Sequence, residues 1–541
     1  MGQAGLTTLA RDARIAGAAT LIALLTILSR LAGFGRNVVF GLTVGATDLS
    51  DIYLAANTVP NIIFEIVAGG ALASLVVPLL AGPMAAGDHA TVKRTVSALL
   101  TMTVSVLVVL ALLLAIGAPQ VIGVLAPDAD ETQRQAGITM LRIFAPQLPL
   151  YGIGIVLTGV LQAHRRFAWP VIAPLLSSLT VIATYALFAS RAGLRPDPAT
   201  VSHTNIVVLA AGTTCGVIVL SLCLLIPVSR LGIRVWPTLR LPEGLGGRTA
   251  GLALAGAATV AFQQVAMLVT IRLALEVSDG ANTVYNLAQT FYLLPWAVLA
   301  VPVATAAYPS VAAAHAEGRE SGSTVASSGR AIMLLSCLGA AGLVAIARPA
   351  ASIILPGEPG QARDMALAMV AFAPGLIGYG VAALHQRTLY AVGGQRSAAI
   401  AIGLGLTVTA LAAVGFSNIL TNRPVALALA NSVGMLVLGA GLAIGVARRC
   451  GGAALGGLVR AGTAGVVAAV VAAAVSVAAG GWVLPQTTPG FWQLIGQGIF
   501  SSAIAALVFV AVSALLDRKD LSVLANAVGR RFRGKGTVEG G

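Results

Sequence analysis

The feature that most limits this 541-residue chain is its apolar runs, which are too long and too many for a soluble core. Windows long enough to cross a bilayer as a helix, ~20 residues each, recur from one end to the other. Fourteen are found, at roughly 15–43, 51–83, 94–117, 135–162, 168–190, 203–229, 248–276, 281–314, 330–348, 364–391, 396–416, 424–447, 459–484 and 491–516. Within hydrocarbon every backbone N–H and C=O must find a partner inside the protein, which leaves helices or closed barrels. The runs are continuous rather than alternating, and this excludes a barrel. The expected fold class is therefore an all-α polytopic membrane protein with about 14 transmembrane helices. Charged residues make up only 10% of the chain, against about 25% in soluble domains. The loops are too short for a soluble catalytic domain, so no enzyme is expected. No nucleotide-binding motif or metal-ligand spacing is present, and no cofactor is expected.

The net charge of +14 follows from topology, not from nucleic-acid binding. Basic residues cluster in alternate loops: Arg11 and Arg14, Lys93 and Arg94, Arg165 and Arg166, then Arg230, Arg234, Arg240 and Arg248. The series continues through Arg319, Arg330, Arg396, Arg448, Arg449 and Arg460 to a basic tail containing Arg518, Lys519, Arg530, Arg531, Arg533 and Lys535. The intervening loops hold few basic residues and include the acidic stretch PDADE at 127–131. The positive-inside rule then predicts a multi-pass protein of the inner (plasma) membrane with both termini cytoplasmic. The tail also suits anionic lipid headgroups. The first span is too long, and too charged within, for a cleaved signal peptide. Cys215, Cys223, Cys337 and Cys450 have no metal-ligand spacing, and no disulfide is expected.

The sequence carries a weak internal duplication. FAPQLPLYG at 144–152 matches FAPGLIGYG at 372–380 at six positions. YLAANTVP, ending at Pro60, pairs with YNLAQTFYLLP, ending at Pro295, and Pro78 pairs with Pro309. Six spans separate the matched segments, so both copies share one orientation, as in the parallel repeats of secondary transporters. The expected organisation is a cytoplasmic N-terminus (1–14), a six-helix bundle (15–229), a cytoplasmic linker (230–247) and a second six-helix bundle (248–447). Two additional helices (448–516) and a basic cytoplasmic tail (517–541) follow. The prolines inside spans free carbonyls and permit bending, with a shared role expected for Pro60 and Pro295.

Polar residues inside spans mark function. In the first half they are Arg30, Arg36, Asp51, Asn57, Asn61 and Glu65; in the second, Gln263, Gln264, Arg272, Asn286 and Gln289. Arg30 and Arg36 lie ~9 Å and roughly 120° apart on an ideal helix. Only a bend at Gly33 and Gly35 would aim both at one small ligand. The guanidinium fork suits paired phosphate oxygens, so Arg30, Arg36, Asn61 and Arg272 are candidate substrate-binding residues for a phosphate-bearing lipid. Asp51 is a candidate gate or partner for an arginine. Glu65 is a candidate for coupling a proton or cation, or for neutralising an arginine. Arg272 lies one turn before Glu276, which also allows a simple i,i+4 pair.

Three segments resemble the MurJ/MviN family of lipid II flippases in the MOP exporter superfamily. SRLAGFGRN at 29–37 is similar to the family's SRxxGxxRD. DIYLAANTVPNIIFEIVAGGALASLVVPLLA at 51–81 is similar to DAFxxAxxxPNxxRRxxAEGAFSxxFVPxxA. YNLAQTFYLLPWAVLAVPVATAAYPSVA at 285–312 resembles the family's eighth span. The resemblance implies a flippase for an undecaprenyl-pyrophosphate-linked peptidoglycan precursor. It also implies alternating access, an arginine-lined cavity containing Arg30, Arg36 and Asp51, and a lipid-tail groove along the last two spans. Membrane lipids and cell-wall synthesis proteins are the implied partners. Phe64 and Glu65 stand where the family has Arg-Arg, Gly69 replaces a glutamate, and Thr290 stands where an arginine is expected. The alternatives are a flippase for another lipid-linked oligosaccharide, a MATE-like exporter and a non-transporting cell-wall scaffold.

Overall fold

A computed structural model describes residues 24–66, 79–80, 82–84, 86–233, 236–238, 248–277, 280–483 and 489–518. The expectations for residues 1–14, Pro78, Gly69, most of the 230–247 linker and the tail beyond Arg518 lie outside the described residues. The chain forms two compact units, Met1–Thr283 and Val284–Gly541.

In the first unit, α1 covers 24–43 and α2 Asp48–Phe64. Then come α3 (His89–Ile116), α4 (Ala118–Leu125), α5 (Glu131–Phe144), α6 (Gln147–Ala163), α7 (Ala168–Ala192), α8 (His203–Leu222) and α9 (Arg248–Leu275). α10 (Ala281–Pro295) begins in this unit and continues into the second. The second unit goes on with α11 (Val301–Ala316), α12 (Gly322–Ile354), α13 (Pro359–Ala391), α14 (Gln395–Ile419) and α15 (Arg423–Cys450). It ends with α16 (Leu458–Val483) and α17 (Phe491–Leu516). Eleven segments among the described residues are long and apolar enough to span a membrane. The expected spans at 15–43, 51–83 and 248–276 each include residues outside the description or of undescribed side-chain placement, and their described parts are helical. The protein is thus an all-α, multi-pass membrane protein.

Local sequence sets the helix ends. Asp88, Asp130, Ser202 and Asn422 each cap a helix by accepting from a backbone N–H three residues on. Thr47 and Ser50 form a reciprocal capping box at the start of α2. The Asp88 carboxyl, outside the apolar segment, is held below its usual range by the Thr91 hydroxyl and N–H. Gly193 and Gly451, with φ of 88° and 81°, stop α7 and α15.

The duplication recurs at the level of side-chain contacts. In the first unit the Tyr53 and Phe144 rings lie 5.7 Å apart, and those of Phe64 and Tyr151 5.0 Å apart. In the second, Tyr285 meets Phe372 at 5.3 Å and Trp296 meets Tyr379 at 4.4 Å. Both α2 residues recur 232 positions later and both motif residues recur 228 positions later. A hydrogen bond to the motif helix recurs as well: Thr214 donates to the Ile143 carbonyl at 2.9 Å and Ser432 to the Ala371 carbonyl at 2.6 Å, the acceptors 228 positions apart and the donors 218. Each copy also has a π-helical stretch beside its second ring pair, at 65–66 and at Trp296–Ala300. Such stretches favour functional positions. In this register Pro60 falls opposite Tyr292, and Pro295 opposite Ile63. The two prolines are therefore displaced by about a turn, so they are not equivalent bends.

The units are packed differently. The first is centred on bulky side chains, including Phe40, Ile52, Tyr53, Met140, Phe144 and Phe188. The second relies more on alanine and on glycine contacts. A Cβ at Gly378 would run into the Met435 backbone, and one at Gly439 into the Gly378 backbone. Close backbone approach of this kind replaces the hydrophobic effect as the source of helix association in lipid.

Candidate functional site

The polar residues of α1 and α2 converge only in part. α1 runs unbroken through Gly33 and Gly35, and a Cβ at either glycine would meet nothing within 4 Å. The glycines therefore neither break the helix nor serve close packing. Arg30 is exposed, on a stretch whose Ile27, Leu28 and Leu31 are also exposed. Arg36, more than a turn farther on, is half-buried. Among the described residues neither arginine has a carboxylate or hydrogen-bond acceptor in reach.

Arg36 lies within electrostatic reach of three tyrosines. Its charge acts on the hydroxyls of Tyr53, Tyr151 and Tyr185. The buried Tyr53 hydroxyl meets that of Tyr185 at 3.0 Å and the Thr213 hydroxyl at 2.6 Å. Thr213 donates onward to the Leu209 carbonyl. Phe40 stacks on Tyr53 with ring centres 5.2 Å apart. Tyr151 donates to Gln147 at 3.4 Å, and Gln147 to Thr214 at 3.1 Å. The tyrosines present oxygen atoms and ring surfaces but no formal negative charge. Among the described residues no carboxylate neutralises the guanidinium, which leaves its donors available to an anion.

Asp51 does something different from the expected pairing with an arginine. It is buried, 2% exposed, and its carboxylate accepts from Thr283 N at 2.7 Å, Thr283 Oγ1 at 2.7 Å and Asn282 N at 3.2 Å. The Asn282 side chain donates back to the Asp51 carbonyl at 3.2 Å, and the Ser50 and Thr283 hydroxyls lie 2.8 Å apart. Asp51 thus caps the N-terminus of α10, where free N–H groups and the helix dipole favour a negative charge. Gly280, at φ 76°, itself lies against the Ala46 backbone with no room for a Cβ.

The remaining candidates occupy separate positions. Asn61 donates to the Asn57 carbonyl, while the Asn57 side-chain oxygen is buried without a donor among the described residues. Glu65 is exposed and accepts from the buried Gln264 at 2.5 Å, so it does not neutralise an arginine. Arg272 pairs with Glu276 at 3.0 Å, both about one-third exposed. Thr290 donates to the Asn286 carbonyl, as Thr58 does to Leu54 in the first copy. Sequence reasoning missed Tyr185, Asn282 and Thr283. The latter two could have been flagged as a polar pair opening an apolar helix; Tyr185 carries no local signal. All four cysteines are free thiols.

Residues 41–496 match the family model described as lipid II flippase MurJ. A probable lipid II flippase MurJ of Synechocystis sp. is 27% identical over 221 residues, 40% of this chain and 41% of that protein. The lipid II flippase MurJ of Burkholderia cenocepacia is 29% identical over 166 residues, 30% of this chain and 32% of that protein. The chain therefore spans less than half the length of these curated relatives in the matches. A solved lipid II flippase MurJ in an inward closed conformation superposes with a TM-score of 0.73 at 16% identity, covering 92% of this chain and 99% of that one. An inward-facing MATE multidrug transporter of the MOP superfamily gives 0.63 at 14% identity, over 80% of this chain and 98% of that one. At these identities the two likenesses describe the fold.

Proposed function

Because the chain belongs to the lipid II flippase MurJ family, we propose that it moves a lipid-linked peptidoglycan precursor from the inner to the outer leaflet by alternating access. The observation that carries the reading is the half-buried Arg36, which has no carboxylate partner among the described residues and lies within electrostatic reach of Tyr53, Tyr151 and Tyr185. A guanidinium within a membrane span costs roughly 2.5–3.5 kcal/mol on insertion scales. A bound diphosphate offsets that cost through charge-assisted hydrogen bonds. Arg30, ~9 Å along the same unbent helix and on a different face, stands nearer the mouth rather than on the same phosphate, and Asn61 supplies a further donor. Arg272 already shares its charge with Glu276 and takes a secondary part.

Asp51 acts as the gate. While it caps α10, that end of α2 and the start of α10 are tied by the bonds to Asn282 and Thr283. Separating them leaves several buried polar groups to be hydrated, each costing about 1–3 kcal/mol if left dry. Substrate binding must supply that difference. The apolar helices α16 and α17, joined at one end by the Arg460–Asp517 pair at 3.2 Å, hold the polyprenyl tail. The protein acts as a transporter and not as an enzyme. It resides in the inner membrane with both termini cytoplasmic, beside the proteins that make and polymerise the precursor.

The reading is tested in cells depleted of their own flippase. Wild-type protein restores outer-leaflet exposure of the precursor, and Arg36→Ala does not. Full restoration by Arg36→Ala removes the proposed diphosphate site.

A further inference from the structure

Glu65 is a charged site candidate with no part in the phosphate site or the gate. It lies in the π-helical stretch at 65–66 that follows α2 and is exposed. Carboxylates inside membrane spans are rare and face a partner or a wet cavity. Arg272 pairs with Glu276, Arg319 with Glu317 and Arg460 with Asp517. Glu65 has no cation in ion-pair reach among the described residues. What it has is Gln264, 2% exposed, whose amide donates to Oε2 at 2.5 Å. A buried amide on α9 thus fixes one carboxylate oxygen and leaves Oε1 open. Immediately before Glu65, Phe64 packs on Tyr151, and the Tyr151 hydroxyl lies in the field of Arg36. Glu65 thus adjoins one ring of a pair whose other ring feels the Arg36 charge, and the two charges form no ion pair.

We infer that Glu65 recognises a cationic group, of the primary-ammonium class, on the head group of the transported lipid. The site is then matched to a zwitterion: phosphate oxygens at Arg36, ammonium at the open oxygen of Glu65. The inference rests on the flippase reading and specifies the substrate class of that site. It also gives Gln264 a positioning role, since a carboxylate held by one oxygen presents the other in a fixed direction. An ammonium donates up to three hydrogen bonds, and its charge complements the carboxylate in a way that a neutral amide does not.

The test uses purified full-length protein and two forms of lipid II, one with the free primary amine on its peptide and one with that amine acetylated. Wild type is expected to bind the free-amine form about tenfold more tightly, equivalent to about 1.4 kcal/mol. Glu65→Gln is expected to bind the two forms alike, and Glu65→Asp, which keeps the charge, to retain part of the preference. Equal binding of both forms by wild type overturns the inference while leaving the flippase reading intact. Persistence of the full preference in Glu65→Gln overturns it as well. A Glu65→Gln variant that slows transport of both forms equally, with wild type showing no preference, assigns Glu65 to ion coupling instead. Failure of wild type to bind either form overturns the flippase reading and the inference together.

Discussion

The two halves of the molecule share a packing skeleton and differ in what their polar groups do. Tyr53–Phe144 and Phe64–Tyr151 in one recur as Tyr285–Phe372 and Trp296–Tyr379 in the other. The buried Tyr53 hydroxyl is bonded to both Tyr185 and Thr213. In the second half the corresponding Tyr285 hydroxyl accepts from Gln289 at 3.4 Å, while the buried Tyr292 hydroxyl, opposite Pro60 in this register, has no partner among the described residues. At the 232-residue offset Asp51 is replaced by Thr283 and Glu65 by Ala297. Duplication preserved the contacts that set helix register, while the charged chemistry was concentrated in the first copy. A repeat therefore predicts fold in both halves but function in neither until side chains are compared position by position.

The difference is open to direct attack. The largest stability effect is expected at Asp51. Asp51→Ala leaves buried donors of Asn282 and Thr283 unpaired and destabilises the protein by roughly 2–4 kcal/mol. Thermal unfolding in detergent reads the loss, and Asp51→Asn should fall between the two. Next is the glycine packing of the second half. Gly378→Ala forces a methyl against the Met435 backbone and costs about 1–3 kcal/mol. Gly33→Ala on α1 meets open space and is neutral or slightly stabilising. The most informative pair is Tyr53→Phe and Tyr292→Phe. The first loses two hydrogen bonds and about 1–2 kcal/mol; the second loses none and is neutral or stabilising, since it removes a buried unpaired hydroxyl. Equal costs would erase the contrast between the halves. The smallest effect is expected at Arg272, where breaking a surface-like i,i+4 pair costs roughly 0.5 kcal/mol or less and lowers transport no more than about threefold.

Much of the fold was legible because the bilayer imposes length and apolarity on every span, and both can be read from the chain. The duplication was legible in FAPQLPLYG and FAPGLIGYG because their Phe and Tyr are the ring partners that hold the register. The proline match misled by about a turn: a proline fixes a local bend, and a bend one turn away serves the same helix. The site was less legible. Arg36 stood out as a charge in an apolar span, but the tyrosines within its electrostatic reach come from three other helices, and Tyr185 lies in an ordinary apolar context. Asp51 was expected to face an arginine. It caps α10 instead, because the N–H groups at a helix start are strong donors that no side-chain pattern announces. Arg272 and Glu276, four residues apart on one helix, were legible as a pair because helical spacing alone brings them together.

The central claim is that Arg36 is the phosphate receptor of the first half. Its most direct test is the affinity of purified protein for lipid II with and without the Arg36→Ala change. Removing one side of a desolvated charge pair costs about 2 kcal/mol or more, so the account predicts affinity weakened by about 30-fold or more, with the fold intact by thermal unfolding. Undiminished affinity in a folded Arg36→Ala protein would contradict it.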